Sequence, residues 1–180
     1  MVLNQTLEML ETKYSDVKES VVVMRLGPTD QLLNALMSNA KVALQLSTRE
    51  GFEVKVSEGL HKGVPMIVSK AGGIPLQVQH DKSGFLVEPG DSSAVAKYLD
   101  VLFSDEKKYK SVSQFAASHV SDEVGTVGNA VCWMYLADTL ANKSQKLEPD
   151  ARWIWDLARK EAGEPVKDDG EVWLPRDWTT

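Results

Sequence analysis

At 180 residues the chain matches the roughly 100–200 residues of one domain, enough to bury about 70% of its extended surface without a disulfide or a structural metal. Apolar residues make up 43% and charged residues 26%, and 20 Lys and Arg against 26 Asp and Glu give a net charge of −6. This excludes disorder as the main state and a general nucleic-acid binder, whose affinity would come from neutralising many phosphates, while leaving room for a local basic pocket for one small phosphate. The single cysteine, Cys132, cannot close an internal disulfide, so cytosol is the expected compartment. The opening MVLNQTLEMLETKYSD lacks the charge-then-apolar order of a signal peptide, and no stretch approaches 18 uncharged apolar residues, so neither a leader nor a membrane span is expected.

In chain order, Leu3, Leu7, Leu10 and Tyr14 recur at helical spacing, and Val21-Val22-Val23-Met24 then reads as a short buried strand. Gly27-Pro28-Thr29-Asp30 punctuates, Leu32, Leu33, Leu36 and Met37 trace a helical face, and Val42 to Leu46 is a second strand candidate. Pro65-Met66-Ile67-Val68 and Gly84-Phe85-Leu86-Val87 are further strands, with Ala71-Gly72-Gly73 as a tight turn between them. The connections are long enough for crossovers, so an α/β fold with a doubly wound parallel sheet is expected, with ligands outside the carboxyl ends of its strands. From Asp91 onward only helices are expected: one through Val95, Leu99 and Leu102, one through Tyr109, Val112, Phe115 and Ala116, and one from Val131 to Leu140. The stretch Leu147 to Thr180 carries Trp153, Trp155, Trp173 and Trp178, an aromatic load that needs a surface to cover.

The segment Ser47 to Gly63 is locally ambiguous. Phe52, Val54 and Val56 alternate with Glu53, Lys55 and Ser57, which favours a strand with Glu50-Gly51 as a hairpin turn. A helix beginning near Phe52 would instead align Phe52, Val56 and Leu60 on one face, with Glu50 just before it and Glu58 about 12 Å away along the axis. In that case the amides of Gly51, Phe52 and Glu53 would form a hydroxyl or anion site at the positive end of the helix dipole. His61, His80 and His119 are scattered, so neither a catalytic triad nor a metal cluster can be assembled, and no cofactor is expected.

Glu50-Gly51-Phe52 followed by Glu58, then Lys62-Gly63-Val64-Pro65-Met66-Ile67, Ala71-Gly72-Gly73-Ile74-Pro75 and Asp81-Lys82-Ser83-Gly84-Phe85-Leu86-Val87, resembles the carboxyl-terminal domain of retaining GT-B glycosyltransferases of the Glu-x7-Glu type. Within that superfamily, Leu46 to Glu58, His61-Lys62-Gly63 and Ser118 to Asn129 look like the fungal trehalose phosphorylases and the related trehalose synthases. The resemblance implies a helix after Glu50. It also implies a glycosyltransferase that interconverts trehalose plus phosphate with glucose plus α-glucose 1-phosphate, or, as the alternative, one that uses a nucleotide sugar.

By the same resemblance, Glu50 is the catalytic-site carboxylate that bonds glucose hydroxyls beside the reacting carbon. Gly51, Phe52 and Glu53 are substrate-binding through the backbone, and Glu58 is the second motif carboxylate, which grips the ribose in nucleotide-sugar enzymes and is an inherited structural residue in a phosphorylase. Read from the residues, Gly72 and Gly73 are either a simple turn or a substrate-facing loop. The expected organisation is a glycosyltransferase carboxyl-terminal domain over 1–146 and a Trp-rich helical tail over 147–180. The family's phosphate-clamp Arg and Lys follow a first strand expected upstream of this chain, so no residue here is assigned to the clamp. Expected partners are an amino-terminal domain completing the cleft, glucose or trehalose with phosphate, and a twin chain met through the tail. A truncated, non-catalytic assembly domain is the reading of another class, and the isolated chain is expected to lack turnover.

Overall fold

The computed structural model describes residues 2–27, 29–120, 122–142 and 154–163. The chain divides into two compact units, 1–36 and 37–180. The first holds helix α1 (Val2–Thr12), a 3-10 turn at Lys18–Ser20 and the start of α2 (Asp30–Asn39). Residues 21–27 carry no strand, and Val21, Val22 and Met24 are exposed, contrary to the expectation for this apolar run. A strand needs a ladder partner, and none of the other described residues of this unit is in a strand.

The second unit is built on a parallel sheet of β1 (Ala43–Gln45), β2 (Met66–Ser69) and β3 (Gly84–Val87), in that order. Central β2 is buried at all four residues, as expected of a parallel strand covered on both faces. Its register sets the two cores. Ala43, Met66 and Val68 face one side with Leu86, where Val56 and Leu60 of α3 (Val54–His61) pack with Ile74, Val78 and Ala116. Ile67, Phe85 and Val87 face the other, against Leu102 of α4 (Ser92–Ser104) and Val112 of α5 (Glu106–Ser118). Tyr98 extends that second core by stacking on Phe85 at 4.3 Å between ring centroids.

Local chemistry fixes where α4 and α5 begin. The Asp91 carboxylate accepts from the Ala94 amide at 2.9 Å, and that of Asp105 accepts from the amides of Lys107 and Lys108, both at 3.0 Å. A 3-10 turn (Ile74–Leu76), rather than an α-helix, connects β2 to β3. Beyond α5 come a 3-10 turn at Asp122–Val124, α6 (Thr126–Asn142) and α7 (Ile154–Glu161). The Trp155 amide donates to Glu123 at 2.9 Å, and Arg159 lies over the Trp155 ring at 5.6 Å. Trp153, Trp173 and Trp178 lie outside the described residues.

Candidate active site

All three strands run parallel, so the loops that follow them gather at one edge of the sheet. After β1 comes 46–53, after β2 comes 70–77, and Glu88 follows β3. The Ser69 hydroxyl donates to the Ser47 carbonyl, and Lys70 pairs with Glu88 at 2.6 Å, so each loop is tied to a neighbour. This is the edge at which open α/β sheets bind ligands.

The segment after β1 resolves the strand-or-helix ambiguity in favour of a helix, α3, which starts at Val54, two residues later than the helical alternative places it. The delay comes from Glu53, whose backbone is left-handed at φ 59°, ψ 73° and therefore stands outside the helix. Val56 and Leu60 are fully buried, whereas Phe52 and Val54 are exposed. The alternation that suggested a strand thus does not correspond to one buried face.

Gly72 and Gly73 pack directly against Glu50-Gly51-Phe52. The Gly73 amide donates to the Gly51 carbonyl at 2.6 Å. Gly72 has φ +53°, and a Cβ there would overlap the Glu50 carbonyl oxygen and stand 2.6 Å from that of Gly51. At Gly73 a Cβ would meet the Gly51 oxygen at 3.0 Å and the Phe52 ring at 3.1 Å. Gly72 needs both the left-handed conformation and the missing side chain, and the close seating of the two loops depends on it.

Glu50 is partly buried, and its carboxylate has no hydrogen-bond or ion-pair partner among the described residues. The amides of Gly51, Phe52, Glu53 and Val54 likewise have none among those residues. An acceptor carboxylate beside open donors suits a ligand rich in hydroxyl groups. Glu58 lies elsewhere: it sits one turn into α3 and pairs with Lys55 at 2.9 Å, both side chains being 46% exposed. Among the described residues no group of three His, Cys, Asp or Glu side chains could hold a metal ion. No described helix is long and apolar enough to cross a membrane.

Two residues that the sequence did not single out hold this arrangement. Gln77, 2% exposed, accepts at Oε1 from the Ser57 amide (3.1 Å) and the Ser57 hydroxyl (2.6 Å). Its Nε2 donates to the Phe52 carbonyl and, at 3.3 Å, to that of Glu53. The available signal was a lone amide inside the apolar run Ile74-Pro75-Leu76-Gln77-Val78, a position that burial tolerates only with partners. His80 and His119 have structural partners: the Leu86 amide donates to His80 Nδ1 at 3.0 Å, and His119 stacks on Phe115 at 3.7 Å.

The parallel sheet covered by helices is a fold that this chain shares with GT-B glycosyltransferase domains. The structure superposes on the carboxyl-terminal domain of a group 1 glycosyl transferase from Francisella tularensis with a TM-score of 0.59 and 24% identity, over 66% of this chain and 60% of that one. It also matches the Anabaena protein HepE in complex with UDP-glucose, with a TM-score of 0.59 and 25% identity, over 77% of this chain and 37% of that one. Residues 8–119 match the glycosyl transferases group 1 family, and the chain belongs to that family.

Among curated proteins it is 56% identical over 176 residues to trehalose phosphorylase from Grifola frondosa, covering 98% of this chain and 24% of the relative. The trehalose phosphorylase of Pleurotus pulmonarius is 58% identical over 163 residues, 91% of this chain and 22% of that protein. A trehalose synthase from Pyrococcus horikoshii is 38% identical over 98 residues, 54% of this chain and 23% of its own. The chain therefore spans about a quarter of the length of the phosphorylases that it matches.

Proposed function

We propose that this chain is a glucose- and phosphate-side catalytic fragment of a retaining trehalose phosphorylase, its cleft completed by an amino-terminal domain. The observation that carries the reading is the extent of the likeness. The match to the phosphorylases runs through nearly the whole chain, including the stretch beyond α5, whereas that to the trehalose synthase covers about half. Glu50 then accepts hydrogen bonds from glucosyl hydroxyls beside the anomeric carbon, and the amides of Gly51, Phe52 and Glu53 donate to oxygens of the same sugar. Gly72 and Gly73 supply the wall that lets the backbone stand this close.

In the reaction the bond between the anomeric carbon and the bridging oxygen breaks, and its electron pair leaves with the departing glucose. That oxygen takes a proton from phosphate, whose own oxygen closes on the same face of the carbon to give α-glucose 1-phosphate. The chain's residues contribute position and electrostatics around an oxocarbenium-like state rather than a covalent intermediate.

The second reading uses a nucleotide sugar, and the likeness to a protein crystallised with UDP-glucose favours it. Glu58 would then release Lys55 to hold the ribose.

The test is a chimera in which this chain replaces the matching segment of the Grifola frondosa enzyme, supplied with trehalose and either phosphate or a nucleoside diphosphate. Glucose 1-phosphate formed only with phosphate supports the phosphorylase; a nucleotide sugar formed only with the diphosphate supports the second reading. Sedimentation of the isolated chain separates a catalytic fragment from an assembly domain that pairs through its tail.

A further inference from the structure

Three consecutive carbonyls before α3 are held by the segment that follows β2. Gly51 O accepts from the Gly73 amide at 2.6 Å, Phe52 O accepts from Gln77 Nε2, and Glu53 O accepts from the same nitrogen at 3.3 Å. No peptide bond among the described residues is cis. In a trans peptide the carbonyl of one residue and the N–H of the next point in opposite directions. Tying down the carbonyls of residues 51, 52 and 53 therefore turns the N–H groups of Phe52, Glu53 and Val54 away from the 72–77 segment. These are amides without a partner among the described residues. The left-handed Glu53 followed by helical Val54 is the alternation that curves successive amides into a concave donor cradle.

Gln77 is suited to this work because nothing in its amide is left over. A side-chain amide has two acceptor and two donor positions, and all four are used: two by Ser57 and two by the carbonyls. Only one orientation of the amide satisfies the set, since the Ser57 N–H must meet oxygen and the carbonyls must meet nitrogen. The Ser57 bonds fix Gln77 to α3, and Gln77 in turn fixes the loop that precedes that helix.

We propose that Gln77 is a positioning residue, which aims the amides of Phe52, Glu53 and Val54 at the oxygens of the bound glucosyl phosphate without touching it. This rests on the reading under Proposed function. The chemistry recognised is an oxygen acceptor, which the hexose hydroxyls and the phosphate both supply.

The test follows the backbone amide resonances of this segment in the chimera, where an amino-terminal domain completes the cleft, during titration with α-glucose 1-phosphate, and separately with glucose and with inorganic phosphate, for wild type, Gln77→Met and Gln77→Glu. In wild type the resonances of Phe52, Glu53 and Val54 shift with glucose 1-phosphate, and the two single-component titrations show which part of it they meet. Gln77→Met weakens the response at least about tenfold.

Gln77→Glu carries the decisive arm, and it serves even if Gln77→Met fails to fold. As a carboxylate it has no donor for the two carbonyls, and when protonated it regains one. Burial raises its titration range, so the response is weak at pH 8 and recovers at pH 5.5. Glu50, Glu53, the Lys55–Glu58 pair and the phosphate monoester also carry charge nearby, and the wild-type profile over the same range subtracts their effect. Equal affinities and profiles in all three proteins overturn the role of Gln77 and leave the site standing. A wild-type chimera whose Phe52–Val54 amides ignore all three ligands overturns the site itself, and this inference with it.

Discussion

Gly72→Ala tests the seating of the two rim loops. At φ +53° an alanine costs about 1–2 kcal/mol for the left-handed backbone alone. Its Cβ also meets the Glu50 and Gly51 carbonyl oxygens, which are backbone and cannot swing aside, and such overpacking costs about 1–3 kcal/mol. Lower entropy of the unfolded chain offsets about 0.4–1 kcal/mol. The net loss is about 1–4.6 kcal/mol, or a Tm fall on the order of 2–18 °C for a chain of this size.

Gly90 is the internal control, because it too has a positive φ, +85°, but a Cβ there meets nothing within 4 Å. Gly90→Ala is expected to lose only about 1 kcal/mol and to leave ligand binding alone. The assay is urea unfolding of both variants beside wild type, with glucose 1-phosphate titrated into the chimera carrying each. Equal destabilisation by the two substitutions, with binding intact in Gly72→Ala, refutes the argument that close backbone approach is what this glycine provides.

Burial, aided by the charges of Glu123 and Asp156, pushes the Cys132 thiol up to about 11, so at pH 8 about one thiol in a thousand is ionised. Disulfide-exchange reagents should therefore label the folded chain roughly two orders of magnitude more slowly than the chain in denaturant. Because the folded thiol holds its proton to higher pH than the unfolded one, near 9, stability is unaffected below about pH 9 and declines as pH rises through about 11, which urea midpoints across that window would register. Leu102→Ala, at a fully buried position against Phe85 and Val112, should cost about 2–5 kcal/mol by urea unfolding. Glu58→Gln removes a half-exposed ion pair and should change stability by under about 1 kcal/mol. In the chimera it should leave phosphorolysis within a few-fold of wild type if no ribose is held, and cripple a nucleotide-dependent activity.

The layers of the fold were legible where burial follows local pattern. Met66 to Val68 and Gly84 to Val87 are continuous apolar runs because the parallel sheet is covered on both faces. The segment around Phe52 was not legible from periodicity, because its apparent period of two was set by Phe52 and Val54, which are exposed, and only Val56 reaches the core. Resemblance supplied the helix, and the left-handed Glu53 explains why it starts at Val54. Val21 to Val23 shows the opposite failure, in which a β-branched run is no strand without an edge to pair with. Glu50 and the glycine pair are candidates visible in the sequence, and the structure shows their loops in contact, but the Gln77 clamp joins residues twenty or more positions apart and exists only once the two loops meet.

The most direct measurement is a crystal structure of the chimera with α-glucose 1-phosphate bound, paired with the turnover of its Glu50→Gln variant. The account predicts glucosyl hydroxyls bonded to the Glu50 carboxylate and to the amides before α3, and a fall in turnover of about a hundredfold or more. A sugar seated away from the rim loops, with Glu50→Gln as active as the parent, would contradict it.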